Sequence, residues 1–327
     1  MVKCQFQMIA AGIWLLVCPG QTTAQTATVV QYAAPRTGLT QLTDSLSVPE
    51  EDAGYTLILP QQEPPKAVLV MFHSGRDTSS TGFEMRLYVE AVKRQAAVLY
   101  LTTGNRFEFL FDETAYRQLD DYLHKAITEN NLPNDRLLFG GMSLAGTRAA
   151  KFAIWCLQGK SAHNIHPKAV AVCDAPLDFV RFWTALDRSK RLRLNPVSFG
   201  EAAWVTAVLE RNLGGTPHNQ LEAYQDYSPY CHDVENGGHI ALLKNTAFRA
   251  YTEPDVRWWM ENRGNDYYSM NALDAAAAVN QLRVLGNEQA ELILTENKGI
   301  RPDGTRHPHS WSIVDNGALV EWLLRLK

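Results

Sequence analysis

The chain has 327 residues, 46% hydrophobic and 20% charged, with 31 Lys and Arg against 35 Asp and Glu for a net charge of −4. That length and apolar fraction suffice for one large domain with a full core, and the mild acidity excludes the basic stripe that a nucleic-acid surface needs. Five cysteines with no Cys-x-x-Cys pair and no His/Cys cluster give no sign of a disulfide framework or a structural zinc site.

Lys3 precedes an apolar stretch from Met8 to Val17, followed by Pro19-Gly20 and a tract of small polar residues. This is the pattern of an export leader over residues 1–24, and Thr22-Thr23-Ala24 puts cleavage before Gln25. The stretch is shorter than the roughly 20 residues a membrane span needs, and no later segment is apolar enough to span. Val17 before Cys18 fits a lipoprotein site poorly. A secreted or periplasmic protein is therefore expected, with Cys156, Cys173 and Cys231 in the mature chain and at most one bridge among them. Residues 25–50, rich in Thr, Gln, Ser and Ala, read as an N-terminal extension of a domain over 51–327.

From Tyr55 onward, short apolar runs alternate with longer segments of helical period, the signature of a mostly parallel sheet covered by helices on both faces. The runs are residues 56–59, 67–72, 97–101, 137–139, 169–173, 248–251 and 292–294. Tyr116, Leu119, Tyr122, Leu123 and Ile127 mark a helix before the fourth run, and Val320, Leu323 and Leu324 mark the last helix.

The passage Leu137-Leu138-Phe139-Gly140-Gly141-Met142-Ser143-Leu144-Ala145-Gly146 carries the chemistry. Gly141 to Ala145 fits G-x-S-x-G with alanine in place of the second glycine, and Ala145, Ala149, Phe152, Ala153, Cys156 and Leu157 continue on one helical face. Small residues let strand and helix approach closely, so that a sharp turn lifts the serine hydroxyl clear of the sheet. The Leu144 N–H then lies at a helix N-terminus, where partial positive charge favours an oxyanion. The same letters also suit a tight helix start with a capping serine.

The alternation breaks between about 179 and 244, a stretch too long for an ordinary connection. It carries Phe182, Trp183, Trp204, Tyr224, Tyr227 and Tyr230 and the basic run Arg188 to Arg193. It should fold as a helical insertion, its aromatic residues forming either its own small core or a lid facing a substrate.

Taken together, these residues resemble the α/β-hydrolase superfamily, over most of 55–327 in order of elements. The resemblance implies a serine nucleophile, then an acid, then a histidine on loops at the C-terminal ends of strands. Ser143 matches the nucleophile. His73-Ser74-Gly75 after the second run resembles the family's oxyanion loop, which makes the backbone N–H groups of Ser74 and Leu144 the expected oxyanion donors. Of the two histidines in Arg306-His307-Pro308-His309-Ser310-Trp311, His309 is the preferred base because the loop precedes it and the terminal helix follows. Asp255 is the preferred acid, with Glu253 as substitute, and Asp174 and Asp178 follow the strand where some family members carry theirs. Trp258 and Trp259 are candidates for a substrate wall or for the buried face of a helix.

The expected activity is that of an exported serine hydrolase cleaving a small-molecule ester, a carbohydrate ester among the candidates, through an acyl-enzyme, a chemistry that requires no metal or cofactor. The alternatives are a prolyl-oligopeptidase-like serine peptidase and a non-catalytic binding protein on the same scaffold.

Overall fold

The computed structural model describes residues 5–9, 13–17, 27–44, 46–61, 63–72 and 86–327. Two edge strands, β1 (Gln5–Ile9) and β2 (Ile13–Val17), pair antiparallel with each other, and β2 pairs with β3 (Ala27–Ala34). A small hairpin, β4 (Leu39–Thr43) and β5 (Leu46–Pro49), stands apart from the main sheet. The rest of the sheet is β6 (Ala53–Pro60), β7 (Ala67–Phe72), β8 (Ala96–Thr102), β9 (Leu137–Met142), β10 (Ala169–Cys173), β11 (Ala247–Thr252) and β12 (Ala290–Leu294).

Beyond the edge hairpin the order is β3-β6-β8-β7-β9-β10-β11-β12. β6 runs antiparallel to both neighbours, and every pair from β8 to β12 is parallel. All seven predicted runs are strands, and β7, β8 and β10 are buried along their whole length because helices cover both faces. One correction concerns residues 27–34. They lie inside the stretch expected as an extension, yet they form β3 and pair residue by residue with β6.

Helices α1 (Leu87–Lys93), α2 (Glu113–Glu129) and α3 (Leu144–Leu157) link the first parallel strands. The insertion after β10 consists of α4 (Phe179–Leu192), α5 (Pro196–Leu213), α6 (Leu221–Tyr227) and a 3-10 segment, Glu235–Asn245. Then come α7 (Val256–Arg263), α8 (Ala272–Val284) and α9 (Asn316–Arg325). Their starts are written in the sequence. Asp112, Asp178 and Asn195 accept hydrogen bonds from the first free N–H groups of α2, α4 and α5, and Pro196 opens α5.

One core layer joins Leu119 and Leu123 of α2, Phe152 of α3 and Val279 of α8 to the sheet, and the opposite layer joins Leu87 of α1 and Leu319, Val320 and Leu323 of α9. Truncating a fully buried leucine such as Leu323 to alanine in such a layer costs about 2–5 kcal/mol. The insertion has its own aromatic cluster, Phe179, Trp183, Tyr224 and Tyr227, which Phe109 and Leu42 join. Cys156, Cys173 and Cys231 are all buried free thiols. Among the described residues, no helix is long and apolar enough to cross a membrane.

Candidate active site

Ser143 occupies the turn between β9 and α3 with φ 55° and ψ −129°, a conformation that non-glycine residues rarely adopt. The turn is possible because its flanks carry no bulk. A Cβ on Gly141 would lie 2.5 Å from the Ala145 carbonyl carbon, and one on Gly146 would lie 2.8 Å from the Gly141 carbonyl oxygen. The Ser143 N–H donates to the Cys173 carbonyl at 2.9 Å, which ties the turn to the end of β10. Leu144 is the first residue of α3, so its N–H has no acceptor within the helix. Ser74, the other expected oxyanion donor, lies outside the described residues, as does His73.

His309 arrives on the loop between β12 and α9. Its Nδ1 donates to Asp174 Oδ2 at 2.6 Å. This corrects the expected acid: Asp174, and not Asp255, meets His309. Asp174 directly follows β10 at φ 45°, and Asp178 points elsewhere, capping α4 and accepting from the His232 N–H at 2.9 Å. The Thr252 hydroxyl donates to Asp174 Oδ1 at 3.2 Å, and Asn271 Nδ2 donates to the Asp174 carbonyl at 2.9 Å, so side chain and backbone are both held. Burial alone would lower the pKa of His309, but the hydrogen bond and charge of Asp174, joined by Glu201, outweigh it and hold the imidazole above its ordinary value.

Asp255 has a structural task. Its Oδ1 accepts from the Trp258 N–H to cap α7, and its Oδ2 takes Arg306 at 2.9 Å. Glu253 is buried, pairs with Arg306 at 2.5 Å, and accepts the N–H groups of Lys298 and Gly299. The two acids thus fasten the loop that delivers His309.

His307 packs against Trp258 and Trp259, with ring centroids 4.6 and 5.9 Å apart. Burial and the neighbouring charges of Arg301, His309 and Arg263 lower its pKa to about 3, so it is neutral at ordinary pH.

Ser143 and His309 line a common cavity of about 540 Å³ with Phe107, Phe179 and Trp204. Arg148 holds the loop bearing Phe107 and Phe109 onto α3 by donating to the carbonyls of Glu108 and Arg106 at 2.7 and 3.2 Å. The insertion contributes Phe182, Trp204 and Val205 to the cavity lining, while Trp183 lies in the insertion's own core, against which Phe182 and Trp204 also pack. Trp259 also faces a cavity that reaches Ser143, whereas Trp258 meets His307 edge to face and lies under Arg263. Among the described residues, no group of three His, Cys, Asp or Glu side chains is arranged to hold a metal ion.

No family model matches the chain, and no curated protein matches it. Solved structures do. A carboxyl esterase from the fungus Tuber melanosporum superposes with a TM-score of 0.56 at 12% identity, over 94% of this chain and 90% of that one. The acylaminoacyl peptidase of Pyrococcus horikoshii gives 0.56 at 14% identity, over 96% of this chain but only 48% of its own. A glucuronoyl esterase from Teredinibacter turnerae gives 0.51 at 11% identity, over 93% and 76%. At these identities the similarity is one of fold.

Proposed function

We propose that this chain, which has the α/β-hydrolase fold, is a serine hydrolase that cleaves a carboxylic ester through an acyl-enzyme on Ser143. The observation that carries the reading is the 2.6 Å bond from His309 to Asp174 beside a serine held in a strained strand-to-helix turn that lines the same cavity. Ser143 Oγ attacks the ester carbonyl carbon as His309 Nε2 takes its proton. Asp174 keeps the imidazole in the tautomer with Nδ1–H and stabilises the imidazolium that forms. The oxyanion gathers at the Leu144 N–H, where one such donor is worth about 3–4 kcal/mol of barrier. His309 then protonates the departing alcohol, and water repeats the sequence on the acyl-enzyme.

An export leader ending before Gln25 belongs to the same reading: cleavage there removes β1 and β2 and leaves β3, which starts at Ala27, paired to β6. The fold likeness to an acylaminoacyl peptidase supports a second reading, cleavage of a peptide. Turnover of p-nitrophenyl acetate and of N-acetyl-alanine p-nitroanilide by wild type and Ser143→Ala separates the two. Ester hydrolysis that Ser143→Ala abolishes supports the first; anilide turnover exceeding that of the ester supports the second.

A further inference from the structure

Ser143 borders two chambers, one more aromatic and one more polar in its lining. The larger, about 540 Å³, is walled by Phe107, Phe109, Phe179 and Trp204. The smaller, about 260 Å³, shares Ser143, Phe182, His309, Glu201 and Arg301 with it and continues past Trp259 to Arg263, Asn265 and His307. From this division we infer that the substrate is an ester of an aromatic acid with a polyhydroxylated, sugar-like alcohol, a reading that rests on the hydrolase assignment above.

The orientation follows from the oxyanion donor. Leu144 and Ala145, which begin α3 at the oxyanion position, border the aromatic chamber, whereas Asp174 and His307 border the polar one. His309, which must protonate the departing oxygen, borders both chambers, but the oxyanion donor Leu144 borders only the aromatic one, so the acyl group belongs there and the alcohol in the polar chamber. Acylation forms the bond from Ser143 Oγ to the acyl carbon and breaks the ester C–O bond. The serine proton passes through His309 to the sugar oxygen, and water then releases the aromatic acid.

The polar chamber matches a ring bearing hydroxyls better than a simple anion. Arg263 and Arg301 offer donors, but Glu201 offers an acceptor in the same space, which a carboxylate ligand would meet as a like charge. Hydroxyls both donate and accept. Asn265 and Asn271 add amide side chains, each carrying both a donor and an acceptor, to the same lining. The indole of Trp259 adds an apolar wall for the C–H face of a pyranose.

The test is a steady-state panel of 6-O-cinnamoyl-glucose, ethyl cinnamate, 6-O-acetyl-glucose and benzyl glucuronate, the last presenting the two sides exchanged. Wild type should prefer cinnamoyl-glucose over each of the others by about tenfold or more in kcat/KM. Asn265→Ala should lower the ratio of cinnamoyl-glucose to ethyl cinnamate by about fivefold, mainly through KM, and Trp204→Ala should lower the ratio of cinnamoyl-glucose to acetyl-glucose similarly. Equal efficiency on cinnamoyl-glucose and ethyl cinnamate, or a preference for benzyl glucuronate, overturns the inference. If p-nitrophenyl acetate turnover still depends on Ser143 in that case, the hydrolase assignment stands. Loss of all turnover in folded wild type removes both.

Discussion

Replacing Asp174 with asparagine should lower kcat for p-nitrophenyl acetate by about four orders of magnitude, or ~5.5 kcal/mol of barrier, as the corresponding exchange does in a serine protease. The local geometry says why. The Thr252 hydroxyl already donates to Oδ1, so the asparagine amide oxygen stays with it and the amide NH2 turns to His309 Nδ1. The imidazole must then accept at Nδ1 and carry its proton on Nε2, where it cannot take one from Ser143. The charge that stabilises the imidazolium is lost at the same time. Asp255→Asn is the matched control: asparagine caps α7 about as well as aspartate, and Arg306 keeps Glu253. Its kcat should stay within about threefold of wild type. Because Asp174 holds the His309 pKa above 6.5, the acid limb of the kcat/KM profile should lie above pH 6.5 in wild type and move to lower pH in Asp174→Asn. Far-ultraviolet circular dichroism verifies that both variants fold. Near-normal turnover in folded Asp174→Asn, together with collapse in Asp255→Asn, would refute the assignment of the acid.

Gly141→Ala should destabilise the domain by about 1–3 kcal/mol in urea unfolding, because its Cβ meets the Ala145 backbone at 2.5 Å; an unchanged midpoint would mean that the turn is looser than described. His307 has a folded pKa of about 3 against an ordinary 6.5, so its contribution is present above about pH 6.5 and is lost as pH falls toward 3. The melting temperature of His307→Phe should therefore fall less than that of wild type between about pH 6 and 4, and parallel curves would contradict it. Protein recovered from an exporting host should have an intact mass starting at Gln25, whereas a diacylglyceryl adduct on Cys18 would identify a lipoprotein instead.

The strands and the tight turn that carries Ser143 were legible because each rests on local pattern. Runs such as Ala67–Phe72 are apolar throughout only because helices cover both faces, and Gly141 and Gly146 are small because nothing larger fits. β3 was missed since its buried and exposed positions alternate and fade along Ala27–Ala34, leaving a segment rich in Thr and Gln that resembles a linker. The acid was misplaced for a different reason. Asp174 and Asp255 both follow a parallel strand, and only the three-dimensional course of the loop ending at His309, held by Arg306 on Glu253 and Asp255, decides which carboxylate the imidazole meets. The one signal for Asp174 in the sequence is its place immediately after the apolar run ending at Cys173. The polar chamber was not legible, since Arg263, Asn265 and His307 converge from separate loops and share no motif.

Covalent labelling tests the central claim most directly. Folded wild-type protein treated with a fluorophosphonate should gain one adduct, mapped by peptide mass spectrometry to Ser143. The adduct should be absent from Ser143→Ala and form far more slowly in Asp174→Asn. Wild-type protein that is folded yet takes up no label at Ser143, or a Ser143→Ala variant that labels equally well elsewhere and keeps its esterase activity, would contradict the account.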